Sequence, residues 1–284
     1  MKLPYSLLAT RLFDTPLLAH PAKARQVAKV FTDRQRQRAG MFDDEGDLPA
    51  STGSGIYPVV EGAAIIPISG SLAHKTGNLQ PYSGMTGYDG LAAKFRIARA
   101  DPAVKGIWLE IDSYGGEVSG CFDLADEIRA ESARNGGKPV WGTVNEAAYS
   151  AAYALASQCD VLIAPRTAGL GSIGVVMMHA DYSEMLKEEG VKVTLIHAGE
   201  HKVDGNPYEA LSDATYQDWL ASCESVRNLF AETVAKGRGV SAESMLATEA
   251  ACYDATKGKA LGMIDSIASA TAGFNAFVDH FNGR

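Results

Sequence analysis

Four short apolar runs constrain this chain more than any other feature: GAAIIPISG (62–70), GIWLEID (106–112), PVWGTV (139–144) and DVLIAP (160–165). Each is short for a buried helix, and none alternates strictly between apolar and polar residues. That is the pattern of strands covered on both faces. A fifth run, VKVTLIHAG (191–199), reads the same way. Between the runs, residues 89–100, 118–134, 150–158 and 181–189 carry helical patterns, and further helical stretches follow at 212–237, 241–248 and 254–261. Strand–helix alternation predicts an α/β fold, a largely parallel sheet flanked by helices. The expected organisation is an N-terminal arm and linker (1–57), a main domain (58–270) and a C-terminal tail (271–284).

The arm divides in three. MKLPYSLLATRLFDTPLLA is broken by Arg11 and Asp14, so it is neither a signal core nor a span of about 20 apolar residues. A short amphipathic helix, and no membrane association, is expected. Residues 20–38, with Lys23, Arg25, Lys29, Arg34, Arg36 and Arg38, read as a basic helix. Residues 39–55 are acidic and then rich in Gly, Ser and Pro, a linker composition. Such a charge switch reads either as a solvated arm or as a docking arm or self-cleavage site.

A formal net charge of −8 over 284 residues argues against a nucleic-acid partner, which calls for a basic face. Cys121, Cys159, Cys223 and Cys252 form no C-x-x-C pair and read as reduced packing residues of a cytoplasmic protein. No metal site and no cofactor is expected from the cysteines or the histidines.

Four places can carry chemistry. Gly115 and Gly116, in LEIDSYGGEVSG, follow one strand run and precede a helix. They suit a turn with positive φ or an oxyanion hole, where a bare backbone approaches a substrate. Ser150, in EAAYSAAYALAS, follows another strand run and opens a helix. It suits a cap or core serine or a nucleophile, with the Ala151 N–H beside it. Lys202, in LIHAGEHKVDGNPY, suits solvent or a base, and His197 and His201 stand nearby as alternative bases. A lysine base must fall from a pKa of about 10.4 to about 7–8, which burial can achieve. Ser172, in GLGSIGVV, suits a tight turn or a hydroxyl that orients the base.

The order of these segments carries more than any one of them. DSYGGEVSG, YSAAYALAS, GSIGV and GEHKVDGNPY together resemble the S49 peptidases, the signal peptide peptidase A family, over roughly residues 58–270. The resemblance implies a Clp/crotonase-like fold of repeated ββα units and a Ser150–Lys202 dyad. It also implies an oxyanion hole from Gly115 and Ala151, support from Gly116 and Ser172, and a homo-oligomer. LQPYSGMTGYDGL (79–91), GEHKVDGNPY (199–208) and TEAACYDATKGKALGMID (248–265) are similar to the phage capsid-assembly proteases of that family. They imply scaffold, portal or capsid protein as substrate, inside a procapsid in the host cytoplasm. Two positions depart from the family pattern: Tyr114 stands where proline often precedes the glycines, and Ala151 and Ala152 stand where glycines often follow the serine. Three rivals stay open: a signal-peptide-peptidase-like protease, a crotonase-like acyl-CoA enzyme, and a non-catalytic assembly factor.

Overall fold

The computed structural model describes residues 15–20, 56–78 and 84–283. The expected basic helix at 20–38 and the linker at 39–55 lie outside the described residues, apart from His20. Twelve strands are described: β1 Leu17–Ala19, β2 Val59–Val60, β3 Ala63–Ser69, β4 Ser71–Ala73, β5 Met85–Gly87, β6 Gly106–Ser113, β7 Gly115–Glu117, β8 Val140–Tyr149, β9 Val161–Ala164, β10 Gly169–Gly171, β11 Cys252–Asp254 and β12 Ser266–Ile267. The helices are α1 Tyr88–Ala100, α2 Cys121–Ala130, α3 Ala151–Ala156, α4 Ser183–Glu188, α5 Asp213–Arg238, α6 Ala242–Leu246, α7 Ala255–Ala260 and α8 Ala270–Asn282.

The main sheet runs β11-β10-β8-β6-β3-β2, with β9 and β12 attached beside β8. The four apolar runs of the sequence are its strands β3, β6, β8 and β9, all in parallel register. Their side chains are buried on both faces, which is why the sequence lacks alternation: Ile66, Ile68, Ile107, Leu109, Ile111, Val140, Val144 and Leu162 are all in the core. The structure is thus α/β, with a largely parallel sheet flanked by helices.

One end of β8 is built differently from the other. Trp141–Thr143 pairs with β9, whereas Ala147–Tyr149 pairs with β10. On the opposite edge the β6–β8 register is in step as far as Ile111↔Val144, then slips so that Ser113 faces Ala148. The extra residues on β8 form an irregularity of the kind that re-aims a strand end. It sets Tyr149–Ser150 beside Ser113–Gly115.

A second, four-stranded sheet, β1-β7-β4-β5, lies at that end. Here two expectations need correction. Leu17–Ala19 is a strand, not part of an amphipathic helix, because both of its backbone edges are paired. Residues 191–199 form no strand. Val191, Val193 and Ile196 are exposed, Ile196 almost completely, because among the described residues no strand lies alongside to take their backbone bonds.

The segment read as a tail is the packed helix α8. It is capped by Ser269, whose hydroxyl accepts from the Ala272 N–H at 3.2 Å. Phe277 of α8 sits between Trp108 and Trp141, ring centroids 5.6 and 5.5 Å away. Among the described residues no helix is long and apolar enough to cross a membrane.

Candidate active site at the end of strand β8

Ser150 joins β8 directly to α3, with no loop between them. A strand can pass into a helix in one residue only if that residue takes an unusual conformation, and Ser150 has φ +57° and ψ −124°. This is a sparsely populated region for a residue with a side chain, and it persists only where surrounding bonds impose it. They do: the Ser150 N–H donates to the Gly171 carbonyl at 2.8 Å, and its own carbonyl accepts from Tyr153 and Ala154 at 2.8 and 3.0 Å. The hydroxyl is not used as a cap. The residue is completely buried, and its Oγ has no hydrogen-bond partner. A buried polar atom left unpaired costs about 1–3 kcal/mol. Strain and an unpartnered hydroxyl together are features of a functional serine more than of a packing one.

Gly115 stands directly opposite. Its φ is +92°, and a β-carbon there would lie 3.0 Å from the Ser150 Cβ and collide with the Leu18 carbonyl oxygen. Only glycine fits. The Gly115 N–H donates to Ser113 Oγ at 3.2 Å, and that hydroxyl donates in turn to the Gly70 carbonyl at 2.6 Å. Gly116 is equally confined, by the Leu72 backbone. Ser113, which the sequence reading passed over, therefore fixes the glycine turn. Its place in DSYGG was the available signal.

Ser172 also has positive φ, +55°, and is buried. Its N–H donates to Ala251 at 3.0 Å and its carbonyl accepts from Gly174 at 2.9 Å. Its hydroxyl pairs with the Cys252 thiol. Burial pushes that thiol above its usual range, and the Ser172 bond offsets part of the shift. Cys252 is exposed, unlike the buried Cys121 and Cys159. It is a rim residue of this site, not the packing residue expected of it.

Lys202 is exposed, on a 3-10 turn at Glu200–Val203. Since Ser150 Oγ has no partner, the Lys202 amine does not hydrogen-bond it within this chain. The structure thus brings Gly115, Ser150 and Ala151 together, with Ser172 at the neighbouring strand end, and makes no hydrogen bond between Lys202 and the hydroxyl.

His197 and His201 stand four apart, the spacing of a metal-binding pair on a helix. Here, however, Gly199 at φ +104° separates them. His197 Nδ1 pairs with the Gly199 carbonyl at 3.0 Å and His201 Nδ1 with Asp204 at 2.7 Å. The bond to Asp204 raises the His201 pKa. Among the described residues no group of three or more His, Cys, Asp or Glu is placed to hold a metal ion.

Three aromatic rings pack together beside Gly115 and Ser150. Tyr114, in the place of the family's proline, and Tyr149 lie 5.4 Å apart, and His20 packs on both at 5.7 and 4.8 Å. Burial, first, and then Cys252 and Tyr114 nearby raise the Tyr149 pKa.

Comparison with known proteins gives the family of the chain. The model of peptidase family S49 matches residues 132–279. The head-tail preconnector protein GP5 of Enterobacteria phage P21 is 37% identical over 299 residues, 100% of this chain and 59% of that protein. The capsid assembly protease C of Escherichia phage lambda is 40% identical over 243 residues, 85% of this chain and 54% of that protein. The chain thus spans less than two thirds of either relative. A solved enoyl-CoA hydratase/isomerase from Acinetobacter baumannii aligns over 80% of each chain at 14% identity, with a TM-score of 0.47.

Proposed function

The chain belongs to peptidase family S49, and from that premise we propose that it is a serine endopeptidase of phage capsid maturation, with Ser150 as nucleophile. The observation that carries this is the state of Ser150: strained, held by its backbone from both sides, and carrying a buried hydroxyl without a partner beside a glycine that admits no side chain.

In this reading Ser150 Oγ attacks the substrate carbonyl, and an acyl-enzyme forms as the amine leaves with a proton. The tetrahedral oxygen is held by the Ala151 N–H and by the Gly115 N–H, which exchanges Ser113 Oγ for it. Gly116 keeps the strand bare, so that an extended peptide backbone can lie against it. Water, activated by the same base, then releases the product. Lys202 is that base. Its exposure, together with an Oγ that has no partner within one chain, favours delivery of the amine from a neighbouring copy in a homo-oligomer. Val191, Val193 and Ile196, strand-like in sequence and exposed here, are the surface we assign to that association.

The similar proteins are named a head-tail preconnector protein and a capsid assembly protease; in keeping with those names, the substrate class in this proposal is a scaffold, portal or capsid protein of a phage head, cut within the procapsid. No cofactor enters the reaction. The test is mass spectrometry of a candidate scaffold protein after incubation with wild type, Ser150→Ala and Lys202→Ala. Defined fragments are expected with wild type alone. Fragments that persist with Ser150→Ala, or no cleavage by any form, would overturn the assignment.

A further inference from the structure

A nucleophile must be reached by substrate, yet Ser150 is completely buried. Strand β1 runs along Gly115, which packs against Ser150. Its register against β7 is antiparallel, Leu17↔Glu117, Leu18↔Gly116 and Ala19↔Gly115. The His20 N–H continues the ladder to the Tyr114 carbonyl at 3.0 Å. Its other edge is paired too: Leu17 donates to the Val176 carbonyl at 2.9 Å and accepts from the Val176 N–H at 3.0 Å. Residues 17–20 are therefore an extended peptide inserted between two backbone edges.

Their position relative to the site is equally specific. The Leu18 carbonyl oxygen and the Ser150 Cβ both lie against the same point, the missing β-carbon of Gly115. The His20 ring packs on Tyr114 and Tyr149, the residues immediately before Gly115 and Ser150. Leu18 is fully buried and belongs to the main core. The pairing is mainly backbone to backbone, on a strand whose two glycines offer no side chain. That is how a sheet edge takes up an extended peptide, with main-chain bonds for affinity and side-chain pockets for selection.

We propose that Leu17–His20 is a built-in occupant of the substrate cleft, and that the chain is latent while this strand is seated. The proposal rests on the reading of Ser150 as nucleophile. A segment tethered to its own cleft competes at an effective concentration on the order of millimolar. A free peptide at micromolar concentration would seldom displace it. A strand this short is removable as a unit, since the parallel strands of the main sheet pair without it.

The test uses the full chain and a fluorophosphonate, which reacts only with an accessible, activated serine, read by mass at Ser150. Leu17 and Val176 are a directly opposed pair, so Leu17→Cys with Val176→Cys can be joined as a disulfide. With the strand locked in, labelling should be about 10-fold slower or worse than in the same protein after reduction, as expected if the open fraction limits reaction. Leu18→Asp, which puts a carboxylate into a fully buried position, should expel the strand and speed labelling about 10-fold over wild type. Equal rates in locked, reduced and Leu18→Asp forms would overturn latency and leave the nucleophile assignment standing. Failure of every form to label would remove both. Should Leu18→Asp not fold, the locked and reduced forms of the paired-cysteine protein decide the matter alone.

Discussion

Gly115 and Ser150 meet across the junction of the two sheets, so closely that a β-carbon on Gly115 would lie 3.0 Å from the Ser150 Cβ. The contact is the hinge of the site. It fixes the separation between the proposed nucleophile and the backbone proposed to receive the oxyanion. Gly115→Ala must leave φ +92° or push Ser150 and the Leu18 carbonyl away. Loss of aligned oxyanion stabilisation predicts a fall in turnover of about 10²–10³. Backbone strain predicts a stability loss of about 1–3 kcal/mol. Peptide turnover and urea unfolding measure the two separately; an unchanged rate would remove Gly115 from the site.

Replacement of Ser150 separates function from stability. Ser150→Ala removes a buried, unpaired hydroxyl, so it should abolish turnover while leaving stability equal or higher by up to about 1–3 kcal/mol. Ser150→Gly should be at least as stable as Ser150→Ala, because glycine accepts φ +57° freely. A marked loss of stability in Ser150→Ala would mean that the hydroxyl is structural.

Complementation tests where Lys202 acts. If the amine is supplied by a neighbouring copy, mixing inactive Ser150→Ala with inactive Lys202→Ala should restore activity, because mixed contacts contain one intact pair. Under a within-chain dyad the mixture stays inactive. Peptide turnover after subunit exchange is the measurement.

Thiol reactivity should divide the cysteines by position. Burial pushes Cys121 and Cys159 up to about 12. A raised pKa means less thiolate at any given pH, so both should stay silent toward a thiol-reactive disulfide at pH 8 until the chain unfolds. Cys252, exposed at the rim of the cleft, should react in the native state and faster as pH rises, since its thiol is also raised. Modification there should slow fluorophosphonate labelling of Ser150, as Cys252 is joined to Ser172 and lies by Tyr149.

Arg238 predicts the largest loss of stability away from the site. Its guanidinium is nearly buried and pairs with Asp265 at 2.8 Å, and Asp265 also accepts from the Leu162 N–H at 2.7 Å. Asp265→Ala should lower unfolding free energy by about 1.5–3 kcal/mol, the scale of hydrogen bonds to charged groups. It should leave the rate per folded molecule unchanged. Urea titration with an activity assay on the folded fraction checks both.

Some of this was legible in the chain. The strands β3, β6, β8 and β9 announce themselves as short apolar runs, because a strand covered on both faces needs apolar residues at every position. Gly115 and Ser150 were visible as residues at strand ends. The misleading run was 191–199. Its Val, Val and Ile satisfy the pattern of a strand, but a pattern states only what a segment is able to bury, not whether a neighbour is present. Leu17–Ala19 failed in the opposite direction. Three residues carry too little periodicity to distinguish a strand from the end of a helix.

The sequence by itself determined the class of fold and the residue types of the site, because burial periodicity and glycine's conformational freedom are local properties written into consecutive residues. Only the tertiary structure decided that Ser150 is strained and its hydroxyl without a partner, that Ser113 holds Gly115, that Cys252 is exposed beside Gly171 and that Leu17–His20 pairs along Gly115 and Gly116. Most of these depend on backbone edges brought together from separate parts of the chain, by a register slip in β8 and by pairing between segments as far apart as Leu17 and Val176. Long-range pairing has no signature in either partner's own sequence, since any backbone can supply the bonds.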